Sequence, residues 1–136
     1  MCDSWKDSSI DLNMLQLSIS TEMFYLYGKN GSHHSKYLGC FGFSGNDFTP
    51  EVSDYNSDSI FNEYGTYGNQ NKNSIWNEYR EFGSSSRSTS CTNEHATEPP
   101  AIFDRNNRIV GYLTANKYLS GQTDLGRRIS RALRLQ

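Results

Sequence analysis

The sequence predicts a mainly β fold, made of β-hairpins and aromatic-stapled repeat loops, with one C-terminal amphipathic helix. Three observations carry this. A 15-residue repeat occupies the middle of the chain, apolar and polar residues alternate in the segments flanking it, and a helical pattern is confined to residues 123–135.

The bulk numbers agree. The 136 residues fit a single domain, 1–136. Only 35% are apolar, while nine Tyr and seven Phe help to make 13% aromatic, so the expected core is thin and built from rings. The polar excess is Ser, Asn, Gly and Thr, which favour turns over long helices. Net charge is −2, too small to mark the whole chain for nucleic acid. It is unevenly placed: residues 1–122 carry 9 basic and 14 acidic side chains (−5), residues 123–136 carry 4 and 1 (+3). No stretch approaches the ~20 apolar residues of a membrane helix. Met1 to Asp7 holds no apolar run of a secretory signal, so a cytoplasmic location is expected. The odd count of three cysteines, Cys2, Cys40 and Cys91, argues against a disulfide framework.

A first hairpin is expected over 13–43. Leu15, Leu17 and Ile19 alternate with polar neighbours, and Met23 to Tyr27 is an aromatic run. Gly28-Lys29-Asn30-Gly31 signals a turn, which Ser32–Ser35, with His33 and His34, would extend as a loop. Lys36 to Phe43 returns, with Gly39 and Gly42 suggesting a bulge or close packing. A second hairpin is expected over 101–118: a strand from Ala101 to Asp104, a turn at Arg105-Asn106-Asn107, and a strand from Arg108 to Ala115. Lys36-Tyr37-Leu38-Gly39 and Arg108-Ile109-Val110-Gly111 occupy equivalent places, which suggests two related hairpins.

The segment 59–95 is the aromatic–asparagine repeat. Ser59-Ile60-Phe61-Asn62-Glu63-Tyr64-Gly65-Thr66-Tyr67-Gly68 returns as Ser74-Ile75-Trp76-Asn77-Glu78-Tyr79-Arg80-Glu81-Phe82-Gly83. Six of the ten positions are identical, and two more exchange one aromatic for another. A decayed third copy, Ser90-Cys91-Thr92-Asn93-Glu94-His95, follows at a spacing of sixteen. Asn bonds its own neighbouring backbone, and the terminal Gly is expected to supply a positive φ. The expected product is a set of compact turns, stapled by rings and docked on the sheet of the two hairpins.

These repeats, the Pro99-Pro100 break and the run Gly111-Tyr112-Leu113-Thr114-Ala115-Asn116-Lys117-Tyr118 resemble a family of uncharacterised small bacterial proteins and C-terminal modules. That family carries Ser-Ile-x-Asn-x-Tyr-Gly-x-Tyr-Gly repeats. The resemblance covers about residues 36–118 and implies no activity. The chain departs from the pattern at Arg80, where Gly is expected, and between Phe43 and Tyr55, which is expanded.

In the tail, Thr123-Asp124 is a good helix start. Leu125, Ile129, Ala132 and Leu133 share one face of the helix 123–135, and Arg127, Arg128, Arg131 and Arg134 the opposite one.

Candidate chemistry is sparse. Asp54-x-Asn56-x-Asp58 has the first three ligand spacings of a Ca²⁺ loop, but Ser59 stands where Gly should follow and Gly65 where the closing Glu should be. The plain alternative is an acidic turn. Cys40, Cys91, His33, His34 and His95 lack the close spacing of a zinc site, and no phosphate loop or nucleophile elbow is present. No catalytic residue and no cofactor are expected.

The expected function is therefore a non-catalytic binding module. Tyr64, Tyr67, Trp76, Asn77 and Tyr79 are its candidate ligand site, set against the reading that such rings are simply core. The arginines Arg127, Arg128, Arg131 and Arg134 are its candidate partner surface. A protein partner or self-association is favoured over a small ligand. Nucleic acid is disfavoured, because the body is acidic and the tail offers only four arginines. Two alternatives stand beside it: a small metal-dependent hydrolase or nuclease-like enzyme, and a self-assembling homo-oligomer.

Overall fold

The computed structural model of the chain describes residues 22–50 and 56–136. The candidate strand at Leu15–Ile19 lies outside the described residues, as does Asp54.

Among the described residues the fold is mainly β, with a single helix, at the C-terminal end. Five strands form one antiparallel sheet: β1 (Glu22–Asn30), β2 (His33–Ser44), β3 (Asp47–Phe48), β4 (Ala101–Phe103) and β5 (Ile109–Tyr112). Their order is β3-β2-β1-β4-β5, so β1 is central and the two hairpins meet along it. The helix α1 (Asp124–Ala132) packs on β5 and touches β3.

The first hairpin turns more tightly than expected. Asn30 pairs with His33, which leaves Gly31 and Ser32 as a two-residue loop. Gly31 takes φ 70°, the left-handed conformation that lets such a loop follow the twist of its strands. His33 and His34 therefore begin β2 and do not extend the loop. Gly28 likewise lies within β1, not in the turn. The ring of Phe82, from the second repeat unit, rests where a Gly28 side chain would stand. At Gly39 the expected irregularity is present. Leu26 pairs with Gly39 and Tyr27 with Tyr37, which leaves Leu38 as the extra residue of a bulge. Gly39 has φ 110°, and the Asp58 carbonyl and the Ile60 side chain close over it.

In the second hairpin, Asp104 organises the turn. Its Oδ1 accepts from the main-chain N–H groups of Asn106 (2.9 Å) and Arg108 (3.0 Å), and Asn107 takes φ 63°. The second strand ends at Tyr112, short of the expected Ala115. Beyond it the chain turns to meet the repeats.

Strand alternation gives β1 two buried faces. Phe24 and Leu26 face the main core, with Leu38, Phe41, Phe43, Ile102, Leu113 and Ile129. Ile60, Ile75, Phe82 and Cys91 of the repeats complete that core. Met23 and Tyr25 face a second cluster with Cys40, flanked by Tyr27, Tyr37 and Phe103. Rings hold this side together: Tyr27 lies 5.2 Å from Tyr37 and 5.1 Å, edge-on, from Phe103.

Helix α1 is capped as its sequence implies. The Thr123 hydroxyl accepts from Gly126 N–H at 3.0 Å and donates to the Val110 carbonyl at 2.7 Å. Gln122 acts as a stand-in strand along β5: its amide accepts from Tyr112 N–H (3.0 Å) and donates to Tyr112 carbonyl (2.8 Å). Ser130 Oγ accepts from Thr114 N–H at 3.1 Å. The β5 edge is thus closed by side chains.

Alanine at Gly28 forces the Phe82 ring to move in a packed core. Gly28→Ala is expected to cost about 1–3 kcal/mol of unfolding free energy in urea melts. In a double-mutant cycle with Phe82→Leu, the two losses should fall well short of additive.

Candidate functional site

The repeat segment is neither helix nor ladder, so its backbone groups need other partners. They find them in turns stepping three residues at a time. Ser59 N–H bonds the Asn56 carbonyl, Asn62 bonds Ser59, and Gly65 bonds Asn62. The second unit steps in the same way through Ser74, Asn77, Arg80 and Gly83.

Two side chains per unit lock these turns. The Ser hydroxyl accepts from the N–H two residues on: Ser59 from Phe61 (3.0 Å), Ser74 from Trp76 (3.2 Å), Ser90 from Thr92 (3.1 Å). The Asn Oδ1 does the same: Asn62 for Tyr64 (3.0 Å), Asn77 for Tyr79 (3.0 Å), Asn93 for His95 (2.9 Å). Each Asn amide then donates backwards, to the carbonyls of Asn56 (3.2 Å), Lys72 (2.8 Å) and Arg87 (2.9 Å). A compact fourth unit follows β5. Thr114 Oγ1 accepts from Asn116 N–H, Asn116 Oδ1 from Tyr118 N–H (both 2.9 Å), and the Asn116 amide donates to Ala96 carbonyl at 2.8 Å.

Successive units bond to one another. Trp76 Nε1 donates to the Ile60 carbonyl at 2.6 Å, Thr92 Oγ1 to the Gly83 carbonyl at 2.7 Å, and Ala115 N–H to the Cys91 carbonyl at 2.8 Å. The first unit is fixed to β2, where Cys40 N–H bonds Asp58 carbonyl and Ile60 N–H bonds Cys40 carbonyl. The closing glycines have a role other than the expected positive φ. Neither Gly68 nor Gly83 takes one; their missing Cβ leaves room for the backbones of Asn62 and Asn77.

The five candidate ligand residues therefore separate. Asn77 is 6% exposed and spends both ends of its amide on the turn. Tyr67 stacks edge-on with Tyr37 at 4.9 Å, and burial, with Asp58 and Tyr27 nearby, raises its phenol pKa. Trp76 is 38% exposed, but its N–H is committed to Ile60. Tyr64 and Tyr79 are 89% and 85% exposed. Tyr118, at the matching place in the fourth unit and overlooked in the sequence, is 92% exposed. Its signal was available, since it follows Asn116 as Tyr64 follows Asn62.

Beside Tyr79 lies an open pocket of about 360 Å³, lined by Asn73, Tyr79, Arg80, Glu81 and Arg87. Of these, only Tyr79 was a candidate from sequence.

The other candidates disperse. Asn56 Oδ1 accepts from Asp58 N–H at 3.0 Å, and Asp58 accepts from the Tyr37 hydroxyl at 3.5 Å. Among the described residues no three His, Cys, Asp or Glu side chains gather as metal ligands. Cys91 is wholly buried, its Sγ 3.8 Å from Ile75 carbonyl, and burial pushes its thiol up to about 12. His95 is exposed, its main-chain N–H held by Asn93. Cys40 is disulfide-bonded, a bridge that the argument against a disulfide framework did not anticipate, and its thiolate is removed from any chemistry; Cys91 is free. On α1, Arg128 is held by Asp124 at 3.3 Å and by the Gly45 carbonyl at 3.2 Å, whereas Arg127 and Arg131 stay exposed; the helix ends at Ala132, short of the expected 135, so Arg134, exposed and at φ 65°, lies beyond it and not on its basic face. No family model, curated protein or solved structure matches the chain.

Asn77→Ala is expected to cost about 1–3 kcal/mol in denaturant unfolding, since it leaves a turn N–H and a carbonyl unpaired. Tyr79→Ala should stay within about 0.5 kcal/mol of the parent. The Cys91 thiol should resist a disulfide-exchange reagent in the native protein and react once denaturant is added.

His34 gives a pH dependence. Its Nε2 bonds the Pro99 carbonyl at 3.0 Å, tying β2 to the residues before β4. Burial holds its pKa below the ordinary 6.5; Lys29 adds to the shift, while the Pro99 bond and Glu98 oppose it. The unfolded chain therefore takes up the proton first as pH falls. The associated stability is complete above 6.5 and is lost as pH drops through the folded value. Thermal melts should show Tm declining in that window, and His34→Gln should flatten the decline.

Proposed function

We propose that the chain is a non-catalytic binding module that recognises its ligand through the outer edge of the repeat coil. One observation carries this reading. In the first three units the Ser, the Ile or Cys and the Asn, and in the fourth Thr114 and Asn116, are consumed by the scaffold, while the ring two residues after the Asn is left in solvent. Tyr64, Tyr79 and Tyr118 are the result, and none of them stacks on another ring among the described residues. Tyrosine supplies a large, stiff contact surface with a polar tip, at small entropic cost on binding. Here each ring stands on a turn fixed by hydrogen bonds at its own N–H.

A second reading, self-association, rests on charge placement. Glu63 and Glu78 precede the exposed rings, while Arg127, Arg131 and Arg134 are exposed on the C-terminal tail. An acidic edge and a basic tail on one chain are mutually complementary. Light scattering after size exclusion tests this: an oligomer at low salt that dissociates at high salt supports it, and a monomer under both conditions rejects it.

The binding reading is tested by saturation-transfer NMR against mixtures of small sugars and peptides. A supporting ligand draws transfer from the Tyr64 and Tyr79 rings and is lost in the Tyr64→Ala, Tyr79→Ala double variant, whose melting curve stays close to the parent's. Binding that survives the double variant would place recognition elsewhere and sink the reading.

A further inference from the structure

We infer that the pocket between the second and third units binds a carboxylate-bearing sugar, of the uronic acid type. This rests on the binding-module reading above and names the ligand class of one part of that surface.

The pocket breaks the repeat. Gly65 in the first unit is pressed against the Ser57 carbonyl, 2.8 Å from where a Cβ would stand, so no side chain fits there. The matching residue of the second unit is Arg80, which is exposed and lines the pocket. Arg87 enters from the start of the third unit. Among the described residues neither guanidinium has a hydrogen bond or ion pair to its side chain. Two unpaired arginines lining one pocket are suited to a planar anion.

The remaining walls call for hydroxyl groups and a ring face. Asn73 Oδ1 is out of reach of solvent, so the side of Asn73 that bears on the pocket is its amide nitrogen. Asn73 Nδ2 donates to Glu81 Oε1 at 3.4 Å, which orients that carboxylate as an acceptor. Tyr79 offers an exposed ring for the C–H face of a pyranose. An anion with adjacent hydroxyls and one apolar face fits Arg80, Arg87, Glu81 and Tyr79, with Asn73 holding Glu81 in place.

Charge selects carboxylate over phosphate. Arg80, Arg87 and Glu81 sum to +1, which matches a carboxylate, whereas a phosphate monoester carries nearly two negative charges. Its extra charge would stand against Glu81. The volume of about 360 Å³ is at the small end for ligand sites, enough for a single sugar residue on an open surface. The frame is already rigid. Arg80 carbonyl accepts from Ser84 N–H at 3.0 Å, Arg87 carbonyl from Asn93 Nδ2 at 2.9 Å, and Glu81 carbonyl from Thr89 Oγ1 at 2.9 Å.

The test is titration of the ¹⁵N-labelled full chain with galacturonate and glucuronate, with galactose, glucose and glucose 6-phosphate alongside. A uronate is expected to shift the amides of residues 73 and 79–87 and to bind more weakly as salt rises. Arg80→Gly restores the residue of the first unit, and Arg87→Gln replaces the guanidinium with a neutral amide. Each should weaken uronate binding about tenfold or more, the range for losing a charge-assisted hydrogen bond. Equal shifts with the neutral hexoses, or tighter binding of glucose 6-phosphate, would overturn the carboxylate assignment. No shift with any of the five sugars would overturn the site as a sugar site. In either case another ligand acting on Tyr64 and Tyr79 would leave the broader binding-module reading standing.

Discussion

The repeat segment depends on one kind of bond, a short polar side chain returned to its own backbone. Between Asn56 and Ala96 the chain has no named strand or helix to pair its N–H and carbonyl groups. An unpaired buried backbone group costs about as much as a lost hydrogen bond. Ser59, Ser74 and Ser90, with Asn62, Asn77 and Asn93, carry that duty inside each unit. These residues disfavour helix interiors for the same reason that they suit this coil: their side chains compete locally for the backbone. The low apolar content follows, since much of the segment is ordered by hydrogen bonds and little by burial.

The turns also decide what faces in and what faces out. Ile60, Ile75 and Cys91 each follow the serine and enter the core against β1 and β2. Phe82 reaches across to Gly28, and Phe61 packs on Phe48 at 4.9 Å. The residue two places after each Asn receives the opposite direction and stands in solvent. One repeated local geometry thus produces a buried row and an exposed row together. Gly68 and Gly83 permit it by letting the chain close over the Asn backbone, a constraint of space and not of φ.

Local signals were legible and non-local ones were not. The repeat, the Gly31 and Asn107 turns, the Gly39 bulge and the Thr123 cap are each written in a few adjacent residues. The pairing of β1 with β4 joins residues about 75 positions apart, and nothing local encodes it. Gly28 resembled a turn glycine because its real constraint, the Phe82 ring, is distant in sequence. Trp76 resembled a ligand platform because its bond to Ile60 is visible only once the units stack. The turn role of Asn77 was hidden for a related reason: an amide that completes a turn has the same letter as one that reads a ligand. Arg80 was noticed as a departure from the repeat, but its meaning needed Arg87 and Asn73 beside it.

A repeated scaffold limits where a site can arise. Positions that hold the turn admit little change, since substituting Asn62 or Asn77 unpairs two backbone groups at once. Positions directed into solvent can change freely, but a lone exposed side chain makes no pocket. Concavity appears where one unit deviates from the next, because there the stacking no longer fills the space between them. In this chain the deviation is the exchange of a packed Gly65 for an exposed Arg80, together with the sixteen-residue step into the third unit. The pocket lies at that junction. The rigid turns on either side then hold the guanidinium, amide and ring groups in place, which lowers the ordering cost that a loop site of this size would otherwise meet on binding.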